Sequence, residues 1–148
     1  MSTLAVLNRN VQKTHIWLKD ANYELGWSMP QRSYLSLRAV LHALRDRLSI
    51  QETAQLGAQL PIFIRGLYYE GWNPAHTPVR SRGKELFLRQ VRAEFAHTRN
   101  PDVDTEHVTR AIFRVLCKHV SKGELDQIKA LLPRELREFW PEAKAACL

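Results

Sequence analysis

The sequence predicts an all-α protein, and three observations support this prediction. Apolar residues recur at helical spacing, as in the series Leu37, Leu41, Leu44 and Leu48. Signals that start helices stand between such stretches, whereas no stretch alternates apolar and polar residues in the manner of a strand. The third observation is an internal repeat of helical character, which also predicts how the helices are organised.

The repeat relates two long segments of the chain. Residues 38–68 align with residues 110–140 without a gap, at a shift of 72, and 10 of the 31 aligned positions are identical. A repeated unit buries its apolar face against its copy. We therefore expect a single domain over residues 1–148, built from repeats at about 14–70 and 84–140. An approximate two-fold axis is expected to relate the repeats, with residues 71–83 linking them.

Each repeat is predicted to contain about four helical segments. A first helix is followed by a long amphipathic second helix, and a capping box of the type Ser-x-x-Glu then starts a short third helix at Ser49 and again at Ser121. A further capping box at Ser28 is predicted to start the second helix of the first repeat. Leu60-Pro61 and Leu132-Pro133 end the third helices and start the fourth, because proline suits a first helical turn.

Composition limits the classes of function. The 148 residues include 22 Lys and Arg against 15 Asp and Glu, a net charge of +7. This balance favours attraction to acidic partners or nucleic acid without selecting one of them. No apolar run approaches the roughly 20 residues of a membrane span. We expect a cytoplasmic protein with no membrane association, and the sequence leaves its oligomeric state open.

The end of the first repeat departs from the second, and we regard it as a candidate binding site. Tyr69, Glu70 and Trp72 lie in the run Arg65-Gly-Leu-Tyr-Tyr-Glu-Gly-Trp-Asn-Pro74, where aromatic side chains with an acid are predicted to line a pocket. The alternative is that Tyr68, like its counterpart Trp140, packs the two halves together and that Trp72 caps the core, because aromatic residues commonly serve packing.

Basic residues follow directly after this run. Residues 76–92 hold five Lys and Arg against one Glu. Of these basic residues, Arg82, Arg89 and Arg92 are spaced to share one helix face. We predict a basic binding patch composed of Arg80, Arg82, Arg89 and Arg92, with an ordinary solvated helix face as the alternative. Further basic stripes, Arg38-His42-Arg45 and Arg110-Arg114-Lys118, are expected on the outer faces of the second helices.

The sequence offers few candidates for catalysis or for metal binding. Its six histidines include no pair at metal-ligand spacing on one helix face, so we predict no metal site and no cofactor. Gly-rich phosphate loops, nucleophile elbows and zinc-hydrolase motifs do not occur. An acid and base couple of Glu70 with His76 is the one enzymatic alternative, and we assign no catalytic residues.

The chain resembles a bacterial family of unknown function, the domain-of-unknown-function family 2267. The resemblance rests on Leu60-Pro61, the run from Arg65 to Pro74, the stretch from Arg80 into Glu85-Leu-Phe-Leu88, and Leu132-Pro133 followed by Phe139-Trp-Pro141. It extends from about residue 14 to residue 141. The resemblance implies a small helical domain and brings no activity or catalytic residues with it.

These observations predict a non-enzymatic helical module that binds a protein partner through residues 66–92, which hold the asymmetric loop and the basic helix. A non-specific nucleic-acid-binding protein is the alternative, although no recognised nucleic-acid-binding motif is present. An enzyme with a site near Glu70 is the third possibility.

Overall fold

The computed structural model describes residues 2–80 and 83–142, and it confirms the all-α prediction. No β-strand occurs within these ranges. The helices are α1 (Thr3–Leu25), α2 (Pro30–Arg45), α3 (Ile50–Ala58), α4 (Ile62–Tyr69), α5 (Lys84–Ala93), α6 (Thr105–His119), α7 (Lys122–Leu131) and α8 (Arg134–Arg137), with a 3₁₀ turn at Pro74–His76. In the described part of the chain, no helix has the length and apolar character needed to cross a membrane.

The core lies between α2 and α6, the long second helices of the two predicted repeats. Leu37, Leu41 and Leu44 on α2 are fully buried, as are Ile112 and Leu116 on α6 together with the rest of their apolar stripes. The other helices surround this pair. Since both stripes are wider than a single helix contact, each helix packs on several neighbours.

The first helix of each predicted repeat packs on the second helix of the other. Helix α1 packs on α6, and α5 packs on α2, while α1 also contacts α2 and α5 also contacts α6. We call α1–α4 and α5–α8 the two quartets of helices. Each quartet therefore completes its core with the first helix of the other quartet. We propose that the two quartets are copies of one duplicated unit, because their helix order and capping residues recur at the sequence shift of 72.

The serine caps of two of the three predicted capping boxes are confirmed, whereas the Ser121 amide donates to Gln59 and not to Glu124. Ser49 Oγ accepts a hydrogen bond from the Glu52 amide at 3.1 Å, and Ser121 Oγ accepts one from the Glu124 amide at 3.3 Å. The prediction at Ser28 is wrong. Helix α2 begins at Pro30 after Met29, and no side chain caps it. Proline suits this first helical position because its fixed φ is already helical and its missing amide hydrogen has no partner to lose there.

Helices α3 and α7 meet through a pair of buried acids. Glu52 and Glu124, which occupy matching positions in the aligned repeats, lie within hydrogen-bonding reach of each other. Neither Oε1 atom has a donor among the described residues. Beside them, Gln59 Nε2 donates to Ser121 Oγ at 3.1 Å, and the Ser121 amide donates to Gln59 Oε1 at 2.8 Å. We infer that a proton on Glu52 links the two carboxyl groups, since burial raises the pKa of Glu52.

We expect the three serines to differ in their effect on stability. Ser49→Ala and Ser121→Ala should each lower the free energy of unfolding by about 0.5–2 kcal/mol, since each removes a cap. Ser121→Ala should have the larger effect because it also breaks the bond with Gln59. Ser28→Ala is the control and should change stability by less than about 0.5 kcal/mol. Urea unfolding measures all three, and equal losses at Ser28 and Ser49 would contradict the assigned caps.

The acid pair makes stability depend on pH. Burial first, and then the hydrogen bond and charge of Glu124, raise the pKa of Glu52 to about 7. Between the pKa of an unfolded glutamate, about 4.3, and that value, the folded chain holds a proton that the unfolded chain has released. Stability contributed by this proton is present at low pH and is lost as pH rises toward 7.

Glu52→Gln should remove this dependence. We expect the variant to be more stable than the wild type at pH 8 and to lose less stability between pH 5 and pH 8. Thermal unfolding across that range measures the difference. Glu85→Gln, a change at an exposed acid, is the control and should follow the wild-type curve. A Glu52→Gln curve parallel to that of the wild type would disprove the shared proton.

Candidate functional site

Tyr69 and Trp72 pack against the protein and do not line an open pocket. The Tyr69 ring lies over Gly57, where a Cβ atom would approach its hydroxyl oxygen to 2.4 Å. It also contacts the rings of Tyr68 and Trp72, with centroid distances of 4.9 and 5.6 Å. Both side chains are half-buried. The packing alternative therefore describes these two residues, and a glycine without a side chain makes the close approach possible.

Glu70 is exposed and bound to Arg38. The Arg38 guanidinium donates to Glu70 Oε1 at 2.9 Å and also pairs with Glu94. The hydrogen bond from Arg38, followed by its charge, holds the pKa of Glu70 below its ordinary value. A general acid needs a raised pKa, so this environment suits an ion pair better than proton transfer. His76, the other half of the proposed couple, contacts Asn73.

A cavity of about 170 Å³ lies beside this loop. Its walls come from Asp46, from the turn at Gly71 and Asn73, and from His76 to Val79. Tyr69, Glu70 and Trp72 do not line it. The aromatic pocket expected from these three residues stays a prediction.

The basic stripe on α2 is internal, which corrects the expectation of an outer charged face. Arg45 is buried, and its NH1 donates at 2.8 Å to the carbonyl oxygens of Tyr68 and Glu70. His42 is buried as well and lies 2.7 Å from the Leu67 carbonyl oxygen, so its Nε2 donates. Desolvation lowers the pKa of His42. These side chains satisfy the last carbonyl groups of α4, which explains why polar residues occupy an inner face.

The three basic residues of the predicted stripe on α6 have different surroundings. Arg110 NH1 donates to the Glu138 carbonyl oxygen at 3.1 Å, and its guanidinium lies over the Phe139 ring. Lys118 pairs with Glu24 on α1 at 3.1 Å. Arg114 is exposed.

The structure describes three of the four arginines of the predicted patch. Arg80, Arg89 and Arg92 are exposed, and Arg82 lies outside the described residues. Arg89 and Arg92 stand on the outer face of α5, opposite the buried Phe87, Leu88 and Val91. Arg80 and Arg89 form no ion pair or side-chain hydrogen bond within the described ranges. Arg92 donates to Thr105 Oγ1 at 3.3 Å.

Sequence reasoning missed a second candidate site at the C-terminal end of α6. His119 Nε2 lies 2.6 Å from Asp20 Oδ2, and the imidazole stacks on the Trp17 ring with centroids 4.7 Å apart. Trp17 and His119 border a groove of about 570 Å³ between α1 and the connection from α3 to α4. Asp20 and His119 are 99 positions apart, so no local motif connects them.

The groove has a mixed lining. Trp17 and Leu60 form apolar floor, Ile16 and Ile62 are exposed at its walls, and Lys13 adds an exposed ammonium group. Within residues 2–80 and 83–142, no three His, Cys, Asp or Glu side chains gather as metal ligands. A concave site that brings apolar and polar side chains together is a candidate binding site.

Arg45 is expected to hold the end of α4 in place. Arg45→Leu leaves the carbonyl oxygens of Tyr68 and Glu70 without a donor, which should cost about 1–3 kcal/mol for each buried group left unsatisfied. Arg80→Leu is the control because the exposed Arg80 contacts none of these groups, and it should be nearly neutral. Urea unfolding compares the two variants. Equal stability of both would show that the Arg45 hydrogen bonds contribute nothing.

Comparison with known families places the chain in one of them, and no curated protein matches it. The profile described as "Uncharacterized conserved protein (DUF2267)" matches residues 14–139. This segment includes α2 to α7 complete and ends within the Phe139-Trp140 pair that packs the C-terminal end of the fold. With most of its length matched, the chain belongs to the DUF2267 family of uncharacterized conserved proteins.

Proposed function

We propose that the protein is a non-enzymatic helical binding module, and that its partner is an acidic segment of another protein. The binding surface would be the α5 patch, which we define as Arg80, Arg89 and Arg92, within the segment 66–92. Arg82 belongs to the same sequence pattern and lies outside the described residues.

One contrast supports this proposal. The basic residues of α2 are engaged inside the protein, where Arg38 binds two acids and Arg45 binds backbone carbonyl oxygens. Arg80 and Arg89 are exposed and have no such partner in the described ranges. Their guanidinium groups remain able to bind a carboxylate through two parallel hydrogen bonds.

The shape of the patch favours a protein over nucleic acid. Glu85 stands one turn before Arg89 on the same outer face of α5 and is exposed. A carboxylate in the middle of the patch repels a continuous phosphate backbone, whereas a protein segment can place a basic or neutral residue there. Strong nucleic-acid binding also relies on many phosphate contacts, and the arginines of the α2 stripe are not free to supply them.

The enzymatic alternative has less support. The pKa of Glu70 is lowered by Arg38, and the side chain is committed to that ion pair. We therefore propose no reaction at this loop.

Removing the patch should weaken binding to an acidic probe. We expect Arg89→Ala/Arg92→Ala to reduce affinity for a labelled, unstructured peptide rich in Asp, Glu and Phe by about tenfold, since hydrogen bonds between charged groups contribute about 1.5–3 kcal/mol each before screening. Fluorescence anisotropy at 50 and 200 mM salt measures the affinity. Arg114→Ala/Arg134→Ala removes two exposed charges elsewhere and serves as the charge-matched control.

A labelled 20-base-pair DNA duplex is titrated in parallel. Tighter binding of DNA than of the peptide, with a steep salt dependence that the α5 double variant reduces, would replace the proposal with the nucleic-acid alternative. Equal losses in both double variants would mean that only net charge matters, and the α5 patch would lose its assignment.

A further inference from the structure

Helix α1 extends beyond the core that it helps to build. It has 23 residues, about 34 Å at 1.5 Å per residue, yet its first buried residue is Trp17. We call residues 3–13 the α1 overhang.

The overhang presents apolar side chains to solvent. Leu4, Val6, Leu7 and Val11 are between 42 and 66% exposed. With Ile16 on α1 and with Ile62 and Phe63 on α4, they make up seven of the twelve exposed large apolar residues in the described part of the chain. Two of them, Ile16 and Ile62, line the same groove, and exposed apolar residues that share a concave site are typical of an interaction surface.

The groove continues into the overhang through Val6, whereas Leu4, Leu7 and Val11 lie about 100° or more around the helix from Val6. Asn10, Lys13 and Trp17 line the groove from α1, and Val6 lies one turn before Asn10 on the same side of the helix. Isolated helices of three turns are marginally stable in water. Packing against a partner along this face would therefore stabilise the overhang as well as fill the groove.

The charge of this face selects the kind of partner. From Ser2 to Lys19 the chain contains Arg9, Lys13 and Lys19 and no acidic residue. Lys13 has no ion pair among the described residues, and the side chain of Asp20, the first acid, is bound to His119. Arg65 adds a guanidinium at the far wall, where it donates to the Gly57 carbonyl oxygen at 2.8 Å and the Leu60 carbonyl oxygen at 3.0 Å.

We infer that the α1 groove and overhang bind an acidic amphipathic helix of a partner protein. Apolar side chains of that helix would lie on Ile16, Ile62 and Trp17, with its carboxylates toward Lys13 and Arg9. Helix-in-groove binding uses such a combination of apolar anchors and complementary flanking charge. This site is separate from the α5 patch and does not rest on it.

The test uses two synthetic 18-residue helical peptides that share a Leu and Ile face. One carries Glu on its polar face, and the other carries Lys at the same positions. Isothermal titration calorimetry on the full chain should give at least tenfold tighter binding of the Glu peptide. Amides of the overhang should exchange more slowly with solvent in the complex. Equal affinity for the two peptides would overturn the inference.

Single substitutions test whether the Glu peptide binds in the groove. Ile62→Asp should weaken binding of the Glu peptide by about 30-fold, the effect of losing a buried apolar anchor worth about 2 kcal/mol. Ile50→Asp is the matched control, because Ile50 is the first residue of α3 as Ile62 is of α4, and the two are 52 and 55% exposed. Ile16→Asp tests the opposite wall. Undiminished binding by both groove variants would disprove the site.

Two further measurements distinguish the proposed partner helix from binding at the α5 patch and from self-association. Arg89→Ala/Arg92→Ala should leave affinity for the Glu peptide unchanged, and loss of binding in that variant would move the peptide to the α5 patch and overturn this inference alone. Sedimentation equilibrium tests a second copy as the occupant. Concentration-dependent dimers that Ile16→Asp abolishes would assign the groove to self-association and refute the proposed partner.

Discussion

The crosswise packing of the first helices is the constraint on which the rest of this structure depends. Helices α2 and α6 each carry an apolar stripe too wide for their mutual contact. Helix α1 covers part of α6 while α5 covers part of α2, so neither quartet completes its core without the other. This exchange joins the chain into one domain and fixes which faces remain free.

The same helix packing explains why basic side chains of α2 are enclosed. Because α4 and α5 both pack on α2, the α2 face between them is enclosed, and Arg38, His42 and Arg45 find partners there in acids and backbone carbonyl oxygens. The asymmetric loop after α4 is thereby tied to the core at Glu70. Its distinctive residues serve packing and ion pairing, which leaves exposed surfaces to account for binding.

Two such surfaces differ in physical character. The α5 patch is cationic with little apolar area, so affinity there would depend strongly on salt. The α1 face combines a groove of mixed apolar and polar lining with a basic border, so its affinity would come from burial of apolar area as well as from charge. One molecule could therefore hold two partners by separate faces, or two parts of one acidic partner.

The sequence by itself determined the helical class, the capped starts of α3 and α7, and the family, because periodicity, capping and motif order are local properties. The sequence was misleading at Ser28. Helix α2 begins at Pro30, one residue later than that capping box requires, and no side chain caps it. The internal position of His42 and Arg45, the acid pair of Glu52 and Glu124, and the groove at His119 were decided only by tertiary structure. Each depends on contacts between segments distant in the chain, and burial or pairing of a charged side chain is set by the helices packed around it.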